Sequence, residues 1–102
     1  MIHVLATVEL QPGKREEFLA AFHRVVPLVL AEEGCLEYGP TVDATTDLLP
    51  AGTARPDVVV VVEKWSSLDA LRSHMTAAHM TDYRAQVKSL VTGTRLQILE
   101  PA

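Results

Sequence analysis

Little cysteine, no surplus of positive charge, no long apolar run and no cofactor fingerprint bound what this 102-residue chain does. Cys35 stands alone, which excludes a disulfide within the chain and any thiolate-rich metal site. Nine Lys and Arg against 13 Asp and Glu leave a formal net charge of −4, and no basic cluster interrupts it. Neither nucleic acid nor an anionic membrane is therefore expected as the main partner, because both select concentrated positive charge. No apolar run approaches the roughly 20 residues that a membrane helix needs. The opening MIHVLATVEL carries no basic start and no cleavage-like site, so a cytoplasmic protein is expected. There is no GxGxxG, P-loop, CxxC or HExxH. Repeats, low-complexity tracts and linkers are also missing, and the length suits one domain over 1–102.

What is present centres on Val58 to His79, VVVVVEKWSSLDALRSHMTAAH, where five valines lead through Glu63 and Trp65 into a helix bearing two histidines. β-Branched side chains are stiff at χ1 and pack well on a pleated sheet, so the valine run predicts a strand. Alternation puts Val59, Val61, Glu63 and Trp65 on one face and Val58, Val60, Val62 and Lys64 on the other. Both faces begin apolar. Helices on a four-stranded sheet cover only one of them, so a second copy of the chain is the simplest cover for the other. Beyond Trp65 the period lengthens: Ser66 with Asp69 predicts a capping box, and Leu68, Leu71 and Met75 recur at helical spacing with His74 at the margin of their stripe. Five residues separate His74 from His79, about 140° on a continuous helix, which is not the spacing of a two-histidine metal clamp.

Elsewhere, Ile2 to Leu10 alternates as a strand, ended by Gln11, Pro12 and Gly13. From Lys14, the positions Phe18, Phe22, Val25, Val26 and Val29 predict about five helical turns, with Gly34 as terminator and a kink at Pro27. Cys35 to Val42 predicts an edge strand with Leu36, Tyr38 and Val42 on one face and a bulge near Gly39 and Pro40. Asp43 to Asp57 is too long for a tight turn, and its Leu48 and Leu49 suit either a pocket mouth, a partner subunit or a plain loop. Met80, Tyr83, Val87, Leu90 and Val91 predict a further helix closed by Gly93, and Thr94 to Leu99 a last strand. The order β, α, β, β, α, β, with the second helical region broken near Thr76, gives an α+β chain of ferredoxin-like plan whose first and third strands are central.

Three segments, EEGCLEY at 32 to 38, VEKW at 62 to 65 and SHMTAAHM at 73 to 80, resemble the antibiotic biosynthesis monooxygenase family, and most closely its bacterial quinol monooxygenase branch. The resemblance spans nearly the whole chain. It implies a dimeric α+β barrel with a pocket between sheet and helices in each subunit. It also implies oxidation of quinols and related phenols by O2 without flavin, haem or metal. One departure concerns the second histidine: members commonly have Thr-Pro or Ser-Pro just before it, whereas Ala77 and Ala78 stand here and leave that helix start less firmly capped.

Such chemistry needs a base, a dry pocket and a place for a transient anion. His74 and His79 are the base candidates, because imidazole titrates near neutrality. Tyr38 and Trp65 suit an aromatic wall for a flat ring. Glu63 is either an acceptor that orients a histidine or the partner of an arginine such as Arg95. Tyr83, four residues after His79, suits a bond to a substrate oxygen or a place in the core, and His3 a place on the pocket's sheet face. No metal ligands are assigned, and Cys35 is expected as a small buried residue. Three other functions compete. Isomerisation of a small phosphorylated dicarbonyl would need Arg55, Arg72, Arg84 and Arg95 to converge. Haem degradation fails where His74 and Arg84 stand. A non-catalytic binding dimer would need neither histidine.

Overall fold

Strict alternation of side chains decides which strands sit at the centre. The computed structural model describes residues 1–102 and contains β1 (Ile2–Leu10), α1 (Arg15–Leu30), β2 (Cys35–Thr41), β3 (Val58–Trp65), α2 (Leu68–Met75), α3 (Ala78–Val87) and β4 (Val91–Leu99). The four strands form one antiparallel sheet in the order β2-β3-β1-β4, an α+β ferredoxin-like fold. β1 and β3 pair centrally, with Ile2 opposite Trp65 and Val8 opposite Val59. Their inner face, Ile2, Val4, Ala6 and Val8 against Val59, Val61, Glu63 and Trp65, is buried under the helices. Phe18, Ala21, Phe22, Val25 and Val29 of α1 supply the other half of the core. No helix is long and apolar enough to cross a membrane.

Several local expectations are corrected. α1 stops at Leu30 rather than at Gly34, and residues 31–34 form a separate turn. The helix runs through Pro27 because Pro27 and His23 both lie on its exposed side, where water can reach the carbonyl that the missing N–H leaves free. Leu36 does not share the buried face of Tyr38. The register shifts between Cys35 and Glu37, so the bulge lies there rather than at Gly39, and Leu36 is turned outwards. Ser67, not Ser66, caps α2, its Oγ accepting the Ala70 N–H at 3.1 Å. On α2 the buried positions are Leu71 and His74, while Leu68 and Met75 are exposed. Val91 and Gly93 belong to β4, because Leu90 is held by the turn that follows α3 and pairs through its carbonyl with the Gln11 N–H.

The 43–57 loop folds back on the far end of the sheet. Its Arg55 grips Asp43 through Nε at 2.7 Å and Nη2 at 3.0 Å, and Asp57 accepts the Gly13 N–H at 2.9 Å. Leu48 and Leu49 are exposed there and line none of the main cavities.

Candidate active site

A carboxylate that the sequence left unassigned organises the site. α1 ends at a turn in which the Glu32 N–H bonds to the Val29 carbonyl and the Cys35 N–H to the Glu32 carbonyl. Gly34 allows that turn, at φ +82°, and its carbonyl accepts the Ser66 N–H at 2.8 Å, which docks the turn against the start of α2. Glu32 is thereby aimed at both histidines. Its Oε2 lies 2.9 Å from His74 Nδ1 and 2.7 Å from His79 Nε2. A carboxylate oxygen only accepts, so His74 donates from Nδ1 and His79 from Nε2. The 140° expected between them applies to a continuous helix. The break at Thr76 and Ala77 re-aims α3, and the two rings meet on one carboxylate.

The histidines then part company. His74 is 3% exposed and lines a cavity of about 470 Å³, whereas His79 is partly exposed and lines a shallow surface cleft. With Nδ1–H committed to Glu32, the lone pair of a neutral His74 lies on Nε2. That atom has no partner in the chain, yet no buried side-chain nitrogen or oxygen is left unpaired, so Nε2 opens on the cavity. Burial pushes the His74 pKa down, with the Glu32 bond and charge pulling against it and Arg84 and His79 adding to the fall. The ring is thus held as a neutral base with an oriented lone pair.

The cavity lies between sheet and helices and is mainly apolar, with Ala6, Val8, Val61, Phe22 and Met80 in its wall. Its volume falls within the roughly 300–1,000 Å³ usual for small-molecule sites. Tyr38 and Tyr83 line it, and neither hydroxyl is bonded within the chain or sealed off. Tyr38 stacks on Phe22 at 5.4 Å between centroids and meets His74 edge-on at 5.3 Å, while Tyr83 meets Phe22 edge-on at 5.7 Å. Burial raises both phenol pKa values, so both remain hydrogen-bond donors.

Two other candidates sit elsewhere than expected. Trp65 is fully buried and walls none of the main cavities; its ring centroid lies 4.7 Å from that of His74, and its Nε1–H donates to Glu63 Oε1 at 2.9 Å. His3 lies opposite Lys64 on the outer sheet face, because it alternates with the inward Ile2 and Val4. Glu63 lines the cavity and pairs with the indole, not with a histidine or Arg95. Arg95 is opposite Thr7, on the outer face. The arginines do not converge: Arg55 holds Asp43, Arg72 holds Asp69, and only Arg84 reaches the cavity, where it also donates to the Met75 carbonyl at 2.9 Å. Glu32 was hidden by its setting, since a Glu32-Glu33 pair after a helix resembles a solvated end. The available clue was that two helix histidines otherwise lacked a nearby acceptor.

The family model described as antibiotic biosynthesis monooxygenase matches residues 1–86, which carry the turn, both histidines and both tyrosines. The chain belongs to this family. The probable quinol monooxygenase YgiN of Escherichia coli K12 is 37% identical over 103 residues, covering 99% of this chain and 98% of YgiN. Among solved structures, Rv0793 of Mycobacterium tuberculosis superposes with a TM-score of 0.81 at 26% identity, covering 99% of this chain and 94% of that one. A conserved Methanosarcina mazei protein reaches 0.84 at 22% identity over 99% of this chain and 92% of its own, a likeness of fold alone. Monooxygenase activity is thus supported at the level of the family.

Proposed function

We propose that this monooxygenase oxidises a quinol or related polycyclic phenol with O2, with no resident cofactor, and works as a homodimer. The observation that carries the reading is His74: a neutral imidazole backed by Glu32, with Nε2 open to an apolar cavity that also presents two phenol donors. His74 takes the proton of a ring hydroxyl, and Tyr38 or Tyr83 donates to the resulting phenolate oxygen. The electron-rich ring passes one electron to O2, and recombination at the carbon beside the phenolate forms a peroxide. Loss of water leaves a hydroxylated quinone, so quinol and O2 become hydroxyquinone and H2O. Aromatic walls exclude solvent and hold the ring flat. The relative named for quinol oxidation, similar over nearly the whole chain, supports this substrate class.

Oxygen uptake by chelator-treated protein with a reduced naphthoquinone tests the reading. Uptake well above the spontaneous rate and above boiled protein is expected, falling about 100-fold in His74→Gln, the usual scale for losing a general base. His79→Gln, which stands outside the cavity, loses less. No excess uptake by a folded protein would overturn the reading in favour of isomerisation or ligand binding.

A further inference from the structure

The deprotonation by His74 leaves one buried acid unused. Glu63 is 5% exposed on the inner face of the central strand β3, in line with Val59 and Val61. Directly across the sheet it meets Val4 on β1 and Tyr38 on β2. Its Oε1 accepts the Trp65 indole N–H, and it makes no salt bridge. Oε2 has no partner in the chain and is not sealed in the core, and Glu63 lines both the cavity it shares with His74 and a smaller one beside Leu71 and Arg72. A carboxylate with one neutral donor and no cation is costly in an apolar wall, so the neutral acid is favoured there. Burial raises its pKa to about 7, the indole bond opposing and Glu32 reinforcing the rise.

We propose that Glu63 is the general acid of the oxidation, giving its proton to the oxygen that leaves when the peroxide breaks. The inference rests on the cavity being the site of quinol oxidation. Once the ring carbon carries the peroxide, the proton held on His74 passes to its terminal oxygen and makes the hydroperoxide. His74 then removes the hydrogen from that carbon, and the C–H electron pair forms the new C=O. The O–O bond breaks, its pair departs with the terminal OH, and Glu63 supplies the proton that makes this H2O. The proton on His74 restores Glu63 through solvent. Without the acid the leaving group would be hydroxide, and another exit competes. The C–O bond breaks instead, the remaining ring hydroxyl loses its proton, and H2O2 leaves with an unhydroxylated quinone. Both routes consume one quinol and one O2, so the products distinguish them.

Other groups around Glu63 titrate or carry charge: Glu32 in the turn, Cys35 and Tyr38 on β2, Arg72 and His74 on α2, Tyr83 and Arg84 on α3, and Lys88 just after it. Of these His74 acts twice, in the first deprotonation and in removing the ring C–H on the way to water, so the acid is reported by the change in partition between wild type and a Glu63 variant in which His74 is unaltered.

The experiment compares wild type with Glu63→Gln, which keeps the shape and still accepts from the indole. O2 consumed, H2O2 formed and the two quinones are measured with a reduced naphthoquinone from about pH 5 to 9, after subtraction of the spontaneous reaction. Wild type is expected to give mainly hydroxyquinone at low pH, with the H2O2 share rising as Glu63 ionises near pH 7. In Glu63→Gln hydroxyquinone falls about tenfold or more at every pH, and H2O2 approaches one per O2, in line with loss of a general acid. Should that variant not fold, Trp65→Phe removes the indole bond and moves the crossover to higher pH. An unchanged product ratio in Glu63→Gln, or an unmoved crossover in Trp65→Phe, overturns the acid role while uptake by wild type keeps the site. Absence of enzymatic uptake in wild type overturns the site and this role together.

Discussion

Glu32 holds two imidazoles with one oxygen, and the consequences differ for charge and for shape. Glu32→Gln leaves a carbonyl oxygen in place but removes the negative charge, replacing charge-assisted bonds of about 1.5–3 kcal/mol with neutral ones of about 0.5–1.5 kcal/mol. The folded protein should lose about 1–3 kcal/mol, read from urea unfolding. The Glu32 bond and charge hold the His74 pKa up, so in the variant it falls further. The acid limb of the pH-rate profile therefore moves to lower pH, and the plateau drops because the base is weaker. An imidazole NMR titration that does not move would refute this. Glu63 gives a second prediction with the opposite sign. Its folded pKa of about 7 lies above the 4.5 of the free side chain. Folded protein thus binds a proton that the unfolded chain releases between these values, and stability falls as pH rises from about 4.5 to 7. Glu63→Gln escapes that fall, so it should be the more stable protein at pH 8, by up to about 3 kcal/mol, and lose the advantage near pH 5. Paired urea titrations at the two pH values decide it.

At the scale of elements, the helix start and the turn it rests on are where the sequence was least legible. Period-two alternation located β1 and β3 because burial on a pleat selects every second residue, and Val59, Val61, Glu63 and Trp65 turned inwards together as that rule requires. The terminators were harder. Ser66 and Ser67 are chemically alike, and only the extended backbone of Ser67 brings its Oγ to the Ala70 N–H. Ser67→Ala should therefore cost about 1 kcal/mol and Ser66→Ala far less, by thermal or urea unfolding. Helical spacing puts His74 at the margin of the Leu68, Leu71 and Met75 stripe, yet Glu32 satisfies Nδ1 and lets the ring be buried. That acceptor comes from 42 residues away in sequence, which no periodicity reports. Gly34 carries a sharper test of the same junction. A Cβ there would lie 2.5 Å from Ala70 Cβ and 2.6 Å from Ser66 Oγ, at a φ of +82° that side chains disfavour. Left-handed backbone alone costs about 1–2 kcal/mol, and the overlap forces α2 away from the turn. Gly34→Ala should thus destabilise by more than about 2 kcal/mol and weaken oxygen uptake through a displaced His74, whereas Gly13→Ala, also at positive φ but with open space around it, should cost only the backbone term.

The whole molecule is thin in one direction. Its extents are 40 × 35 × 20 Å, so the shortest axis holds one sheet and one helical layer, and the radius of gyration of 14.2 Å exceeds the roughly 13 Å of a rounder domain this size. The layer missing from this plan is on the outer side of the sheet. There Leu5, Thr7, Val58, Val60 and Val62 shield one another only partly, with His3, Lys64 and Arg95 towards the margins. Val60 sits near the middle, flanked by Thr7 on β1 and Thr41 on β2. Such a stripe is long enough for a second sheet to pack on it at about 10 Å, with side chains interleaved. A symmetric pair brings each Val60 close to its own counterpart region, so a charge placed there is met by a like charge as well as by lost hydration. Val60→Glu should therefore weaken the proposed dimer by at least about 100-fold, or about 2.7 kcal/mol, while the inner face and its cavity remain intact within each chain. Sedimentation over a dilution series checks it. Wild type should run at twice the chain mass at micromolar concentration and the variant at once the chain mass. A wild-type protein that is monomeric there would leave the outer valines to another partner and remove the dimer from the proposal.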